Sequence, residues 1–181
     1  MKKEFKVRSL AYAAILLAIC IVSQFFKNFS VYITGPIINA CLILCAMSAG
    51  VGYSILLCII TPITSFLITN SPIIAAIPAI MPCIMVGNAI LVLCVALLRK
   101  KPNAKIGFPL SMGIGSVFKG IFMGGVISYL LIPMLLPEAM APKMAVFQTT
   151  FSVTQLITSL MGSVLAWILW IPISKTIKEE N

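Results

Sequence analysis

The sequence predicts an all-α integral membrane protein with six transmembrane helices and both termini in the cytoplasm. Composition is the first reason: the 181 residues are 61% hydrophobic and 9% charged, which excludes an ordinary soluble domain. Length is the second, because the apolar runs are long enough to cross a bilayer. The third is the clustering of the cations, which is typical of loops on the cytoplasmic side.

The positive charges are unevenly distributed along the chain. Ten of the thirteen cations lie in three clusters, and only Lys27, Lys119 and Lys143 lie elsewhere. The clusters are Lys2, Lys3, Lys6 and Arg8; Arg99, Lys100, Lys101 and Lys105; and Lys175 and Lys178. The positive-inside rule places all three clusters on the cytoplasmic face. Topology therefore accounts for the net charge of +9, and nucleic-acid binding is not indicated.

The whole chain, residues 1–181, reads as a single transmembrane domain. The predicted spans cover approximately residues 8–26, 36–48, 53–68, 83–98, 106–132 and 147–171. Starting inside, four crossings return the chain to the second basic cluster and two more return it to the third. The number of spans and the charge bias therefore predict the same topology.

Polar and small residues delimit the first three spans. The first span begins at Arg8 and ends before the polar and aromatic stretch Lys27–Thr34, which is predicted to be an outer loop. Gly35-Pro36 opens the second span, and the small residues of SAGVGY form the inner turn before the third. The sequence Thr69–Pro72 then marks the second outer turn.

Prolines delimit the last three spans. Residues 73–98 contain too many prolines for one straight helix, so Pro78 and Pro82 predict an outer loop or broken helix, followed by a regular span from Cys83. After the basic inner loop, the fifth span runs from Ile106 to Ile132. The proline-containing outer loop that follows leads into the sixth span.

A single lysine lies inside the fifth span. Lys119 is the fourteenth of its 27 residues, close to the membrane midplane, where a lysine costs roughly 2.5–3.5 kcal/mol. The four acids are Glu4, Glu138, Glu179 and Glu180, so no span supplies a carboxylate. Either Lys119 packs between helices, solvated by Ser, Asn and carbonyl oxygens, or it binds an anion that the protein does not supply. Glu138 is the one acid that an outer loop could bring towards it.

The spans also offer the other parts of a small-molecule site. Asn88 and Gln155 are predicted to converge with Lys119 as polar anchors, and Phe118, Phe122 and Phe151 to line the apolar part. Such sites are apolar pockets with few polar groups. The alternatives are interhelical bonding for Asn88 and simple packing for Phe118 and Phe122.

Catalysis is poorly supported by the sequence, and we expect neither an enzyme nor a cofactor. The chain has no histidine and no carboxylate within a span, so general acid–base groups are scarce. The segment GIGSVFKG lacks the strand–loop–helix context of a phosphate-binding loop. The six cysteines lie in or beside apolar runs, where cysteine behaves as a small hydrophobe, and no metal site is expected.

The chain resembles the substrate-binding S components of energy-coupling factor (ECF) vitamin transporters. The resemblance rests on six spans with both ends inside and on Ala14-x-x-x-Ala18 in the first span. It also rests on the proline-rich break before Gly87-Asn88 and on the run Gln155-Leu-Ile-Thr-Ser-Leu-Met-Gly162. These short motifs are spread over nearly the whole chain. Small residues four apart, as in Ala14 and Ala18, also allow close helix approach on physical grounds alone, and plain packing within the bundle is the alternative to docking for this pair.

The resemblance implies a function and a set of partners. The protein would capture a vitamin or related micronutrient from outside and bind it in the outward half of the bundle. The Ala14 and Ala18 face would dock onto a transmembrane coupling subunit that sits on two ABC ATPases. The location would be the bacterial plasma membrane, with multiple crossings of the lipid bilayer. The alternatives are a structural or assembly subunit of a larger membrane complex, or a stand-alone small carrier.

Overall fold

The computed structural model of the chain describes residues 2–27, 29–98 and 104–179, and over these residues the protein is helical without any strand. The α-helices are α1 Lys2–Gln24, α2 Val31–Ser48, α3 Val51–Thr69, α4 Pro72–Ala76, α5 Ile80–Leu98, α6 Ala104–Met123, α7 Ile132–Leu135, α8 Met144–Phe151 and α9 Val153–Glu179. A π-helix, Gly124–Leu131, joins α6 to α7, and a 3₁₀-helix, Glu138–Lys143, precedes α8.

Six helical segments of this part of the chain are long and apolar enough to cross a membrane. They are Val7–Gln24, Val31–Ser48, Val51–Thr69, Ile80–Leu98, Gly107–Leu135 and Glu138–Lys175. The predicted all-α class with six spans is therefore confirmed, and the protein is a multi-pass membrane protein. The basic cluster at residues 99–101, which supports the predicted orientation, lies outside the described residues, and the cytoplasmic position of the termini stays a prediction.

The second span begins earlier than predicted. Helix α2 starts at Val31 and carries Pro36 inside it, whereas the sequence predicts a loop as far as Thr34. The reason is a cap: Ser30 has extended backbone angles, and its hydroxyl accepts a hydrogen bond from the Tyr32 N–H at 3.2 Å. Serine at this position satisfies one of the free N–H groups of the first turn.

The predicted interruption before the fourth span is present. The short helix α4 ends at Ala76, and α5 begins at Ile80, three residues earlier than the predicted Cys83. Pro82 lies in the first turn of α5, where a missing N–H removes no intrahelical bond. The sixth span is less regular than predicted, because Ser152 separates α8 from α9 with non-helical backbone angles.

Helix α2 forms the centre of the bundle. It packs against α1, α3, α5 and α9, while α6 lies between α5 and α9. Over half of α2 is buried, more than of any other described span. The bundle has two ends. We call the end with the α1–α2 and α3–α4 connections the Lys27 end, and the end with the α2–α3 turn the Gly50 end.

The two ends of the bundle are filled differently. Near the Gly50 end, α1, α2, α3 and α5 form an apolar core that includes Leu42, Leu57 and Val92. At the Lys27 end, α4, the π-helix and α8 build a separate apolar cluster around Ile77 and Ile127. Ile73, Ile74 and Phe151 of this second cluster also line a cavity inside the bundle.

Candidate functional site

Helix α6 carries Lys119 into the middle of the bundle. Lys119 is the thirteenth of the 29 residues in the fifth span and is only 2% exposed. Its close packing against α5 is made possible by Gly87 of that helix, where an added β-carbon would lie 2.8 Å from Met123 Cγ and 3.8 Å from Lys119 Cγ. The absence of a side chain at position 87 thus lets α6 lie close against α5.

Two asparagines from two other helices hold the ammonium group. Lys119 Nζ donates to Asn39 Oδ1 at 2.6 Å and to Asn88 Oδ1 at 2.7 Å. Asn39 is eight positions after Val31, the start of α2, and Asn88 is eight positions after Ile80, the start of α5. Both therefore lie about 12 Å below the Lys27 end. The cluster ties α2, α5 and α6 together near mid-membrane.

No carboxylate neutralises this lysine within the described residues. The side chains described around the cavity include no acid. Glu138, the one acid that a loop could have brought in, is exposed in the 3₁₀-helix and does not line the cavity. Its salt bridge with Lys119 is therefore not formed. In the described part of the chain, the ammonium of Lys119 bonds only to neutral amide oxygens, which solvate an ammonium group without cancelling its charge.

The cavity opens above the lysine, towards the Lys27 end. Its volume is about 340 Å³, and its walls come from α2, α3, α4, α5, α6, α8 and α9, with Lys27 of the α1–α2 connection. Of the predicted site residues, Lys119, Asn88, Gln155 and Phe151 line it. The structure thus brings together all three predicted polar anchors and one of the three aromatic residues. This volume is within the range of small-molecule pockets.

Two predicted aromatic residues do not reach the cavity. Phe118 is 56% exposed on the outside of the bundle, because adjacent helical residues point about 100° apart. Phe122 packs against the apolar cluster at the Lys27 end instead. The apolar lining comes from other residues, namely Ile38, Ile73, Ile74, Ile84, Phe147 and Phe151.

The group formed by Lys119, Asn39 and Asn88 presents hydrogen-bond donors to the cavity. Because an ammonium group only donates, each asparagine must present its oxygen to Lys119, which leaves both amide nitrogens free. Neither nitrogen has a partner among the described residues, and the only wholly buried side-chain polar atom without a partner there is Gln24 Oε1. The amide nitrogens therefore remain accessible, and both residues line the cavity. One N–H of the ammonium is also uncommitted, so the site is suited to an anion.

Among the cavity residues that sequence reasoning missed, Asn39 and Lys27 carry the polar groups that matter most for the chemistry of the site. Asn39 could have been found in the same way as Asn88, since it too is an amide side chain inside an apolar span. Lys27 was assigned only to an outer loop. The structure instead turns its side chain towards α3, where Nζ donates to Ser65 Oγ at 2.6 Å, and both residues line the cavity.

The predicted partner-docking residues lie away from the cavity. Ala14 and Ala18 are both exposed on α1, on a face that also carries exposed Ile15 and Ile19. Small residues at this spacing leave a shallow surface that another helix can approach closely. Within the described part of the chain, no group of three or more metal-ligating side chains lies together.

Comparison of the chain with protein-family models, with curated proteins and with solved structures finds no match.

Proposed function

We propose that this protein is the substrate-binding subunit of a membrane importer, and that it captures an anionic small molecule in the cavity above Lys119. The observation that carries the proposal is a lysine buried near mid-span, on a cavity wall, whose partners among the described residues are all neutral. Intramembrane ionisable residues are costly and mark substrate sites by default. A bound carboxylate would supply the missing negative charge.

The geometry of the polar groups supports an anion over a neutral or cationic ligand. Lys119 has one free N–H, and Asn39 and Asn88 turn their amide nitrogens to the cavity. A carboxylate accepts several such bonds at once. Gln155, whose side chain has no partner among the described residues, can bond a neutral polar part of the ligand. The apolar lining would hold the remainder.

The resemblance to ECF S components extends the proposal to partners. Gly87 and Asn88, two residues of the resemblance, contribute to the Lys119 site itself. On this proposal the substrate is a vitamin or related micronutrient, and a coupling subunit with two ABC ATPases drives its release inside. The protein would lie in the bacterial plasma membrane with its cavity open to the outside.

The test is to identify the molecule that the protein carries. The full chain is purified in detergent, and bound small molecules are extracted and identified by mass spectrometry. Lys119→Met keeps most of the side-chain length and removes the charge. Lys143→Met is the matched control, since Lys143 is exposed and lies outside the cavity lining. Wild type and Lys143→Met should carry the same anionic compound, and Lys119→Met should lose it.

Titration of that compound then gives the size of the effect. A hydrogen bond to a charged group contributes about 1.5–3 kcal/mol, so Lys119→Met should weaken binding roughly tenfold to more than a hundredfold. Equal occupancy in wild type and a folded Lys119→Met variant would refute the anion site. Failure of the wild type to carry or bind any compound of a broad ligand panel would favour the structural or assembly subunit.

A further inference from the structure

The cavity has a second cation, at its mouth. Lys27 follows α1 at the Lys27 end, and its side chain is half-buried. Its ammonium donates to Ser65 Oγ at 2.6 Å, across the gap between the α1–α2 connection and α3. The cavity lining described contains no acid, so this charge also has only a neutral partner. Nothing in the proposed function uses it.

Lys27 and Ser65 together form a second group of donors. The Lys27 ammonium keeps two N–H groups after bonding to Ser65. The Ser65 oxygen accepts that bond, and its own hydroxyl hydrogen has no acceptor among the described residues. An oxygen anion at the mouth could therefore take bonds from both side chains. Burial lowers the pKa of Lys27, because the ammonium is only partly hydrated there.

The separation of the two cations follows from the register of α2 and α3. Ser54 Oγ of α3 donates to the Leu42 carbonyl of α2 at 2.7 Å, which places these residues at one level. From that level Ser65 lies eleven residues towards the Lys27 end, and Asn39 lies three residues towards it. The difference of eight residues corresponds to about 12 Å along the bundle. The two donor groups therefore lie at opposite ends of the cavity.

The wall between the two ends is largely apolar. Ile38, Pro62, Ile74 and Phe151 line it, and Gln155 is a polar exception. The hydroxyls of three threonines in the lining, Thr34, Thr61 and Thr150, already donate to backbone carbonyls. We propose that the cavity takes an elongated ligand with two acidic groups, one at Lys119 and one at Lys27 and Ser65, joined by a mainly apolar segment. The inference rests on the proposed function, because it takes the Lys119 end as the first of the two anion sites.

The proposal is tested with two sets of simple probes. Purified full-length protein is titrated with a homologous series of straight-chain dicarboxylates and with the monocarboxylates of the same lengths. Affinity should peak at one dicarboxylate length, and that diacid should bind roughly tenfold to a hundredfold tighter than its monoacid. Equal affinity for diacid and monoacid at every length, or no binding of any diacid, would overturn the proposal.

Variants assign the second acidic group to the mouth of the cavity. Lys27→Met should reduce diacid affinity to that of the monoacid and leave monoacid affinity unchanged. Ser65→Ala should also reduce diacid affinity, by less than Lys27→Met does. Lys143→Met should alter neither the diacid nor the monoacid affinity. If Lys27→Met weakens monoacid and diacid equally, Lys27 serves a single anion or the fold, and the proposal fails. The proposed function fails separately, if Lys119→Met binds monoacids as well as wild type does.

Discussion

Gly162 of α9 lies directly against Asn39 of α2. A β-carbon at position 162 would come within 2.6 Å of Asn39 Cβ and within 2.7 Å of the Pro36 carbonyl oxygen. Real β-carbons do not approach other atoms this closely, and a backbone carbonyl cannot move aside as a flexible side chain can. The glycine therefore sets the distance between the two helices at the depth of the lysine site, and it holds Asn39 in place from behind.

Gly162→Ala should therefore destabilise the protein and disturb the site together. Overpacking of this kind costs about 1–3 kcal/mol, and it should lower the midpoint of thermal unfolding in detergent and weaken ligand binding. Gly113→Ala is the control, because a β-carbon there meets nothing within 4 Å. That change should be neutral or slightly stabilising, since alanine favours helix. Equal behaviour of the two variants would show that the α2–α9 contact is not tight.

Asn39 and Asn88 should matter mainly because Lys119 is charged. Asn39→Leu or Asn88→Leu leaves the buried ammonium with one acceptor, so each should cost about 1–3 kcal/mol of stability. In a Lys119→Met background no ammonium remains to be solvated, and the same substitutions should cost clearly less. Thermal unfolding of the single and double variants forms a double-mutant cycle that measures this coupling. Additive losses would mean that the asparagines stabilise the fold independently of the lysine.

The affinity for the two-acid ligand should depend on pH through Lys27. Burial holds the pKa of Lys27 below the ordinary lysine value of about 10.4, whereas a bound acidic group favours the charged form. Affinity should thus be constant below the pKa of Lys27 in the free protein and fall as the pH rises through it.

Lys27→Arg provides the control for this pH dependence, because arginine stays charged over that range. Lys119 is the other titratable residue among the described cavity lining, and it is common to both proteins. The ratio of their affinities therefore isolates Lys27. A ratio that does not change with pH would contradict the prediction.

Substitutions that block docking onto a coupling subunit should leave ligand binding unchanged. Replacing both Ala14 and Ala18 with tryptophan fills the small-residue face of α1 and should abolish uptake in cells, while the purified protein binds its ligand normally. Leu97→Trp places the same side chain on an exposed position of α5 and should leave uptake intact. Uptake that survives the double substitution would place the interface elsewhere.

The orientation predicted from the charges can be tested by labelling. In a cysteine-depleted background, a cysteine at exposed Glu138 should react with an impermeant thiol reagent added outside the cell. A cysteine at exposed Lys175 should react only after the membrane is opened. The reverse pattern would invert the topology and put the mouth of the cavity on the cytoplasmic side.

The number and type of the spans could be predicted because the solvent imposes them. A bilayer requires long apolar helices, and prolines mark the interruptions, as at α4. The early start of α2 was also readable in principle, since Ser30 is a common capping residue. The break at Ser152 and the π-helix Gly124–Leu131 could not be predicted, because no residue pattern marks them and they lie where α8 packs against the fifth span.

A polar residue of the site could be predicted from the sequence where its side chain is costly to place inside an apolar span. Lys119 and Asn88 are polar side chains inside apolar spans, and Asn39 is another. Lys27 could not be found in this way, because a lysine in a loop is ordinary, and only tertiary packing brings it to Ser65, 38 positions away. The failure at Phe118 has the same origin, since sequence proximity to Lys119 says nothing about which side of α6 faces the cavity.

The lysine without a carboxylate has an electrical consequence for the proposed import. Moving one negative charge into a cell whose interior is negative costs about 2.3 kcal/mol per 100 mV. A monoanion bound to Lys119 forms a pair with no net charge, and Lys27 does the same for a second acidic group. Movement of the loaded site across the membrane field would then transfer no net charge, and the membrane potential would act instead on the return of the empty, positively charged site.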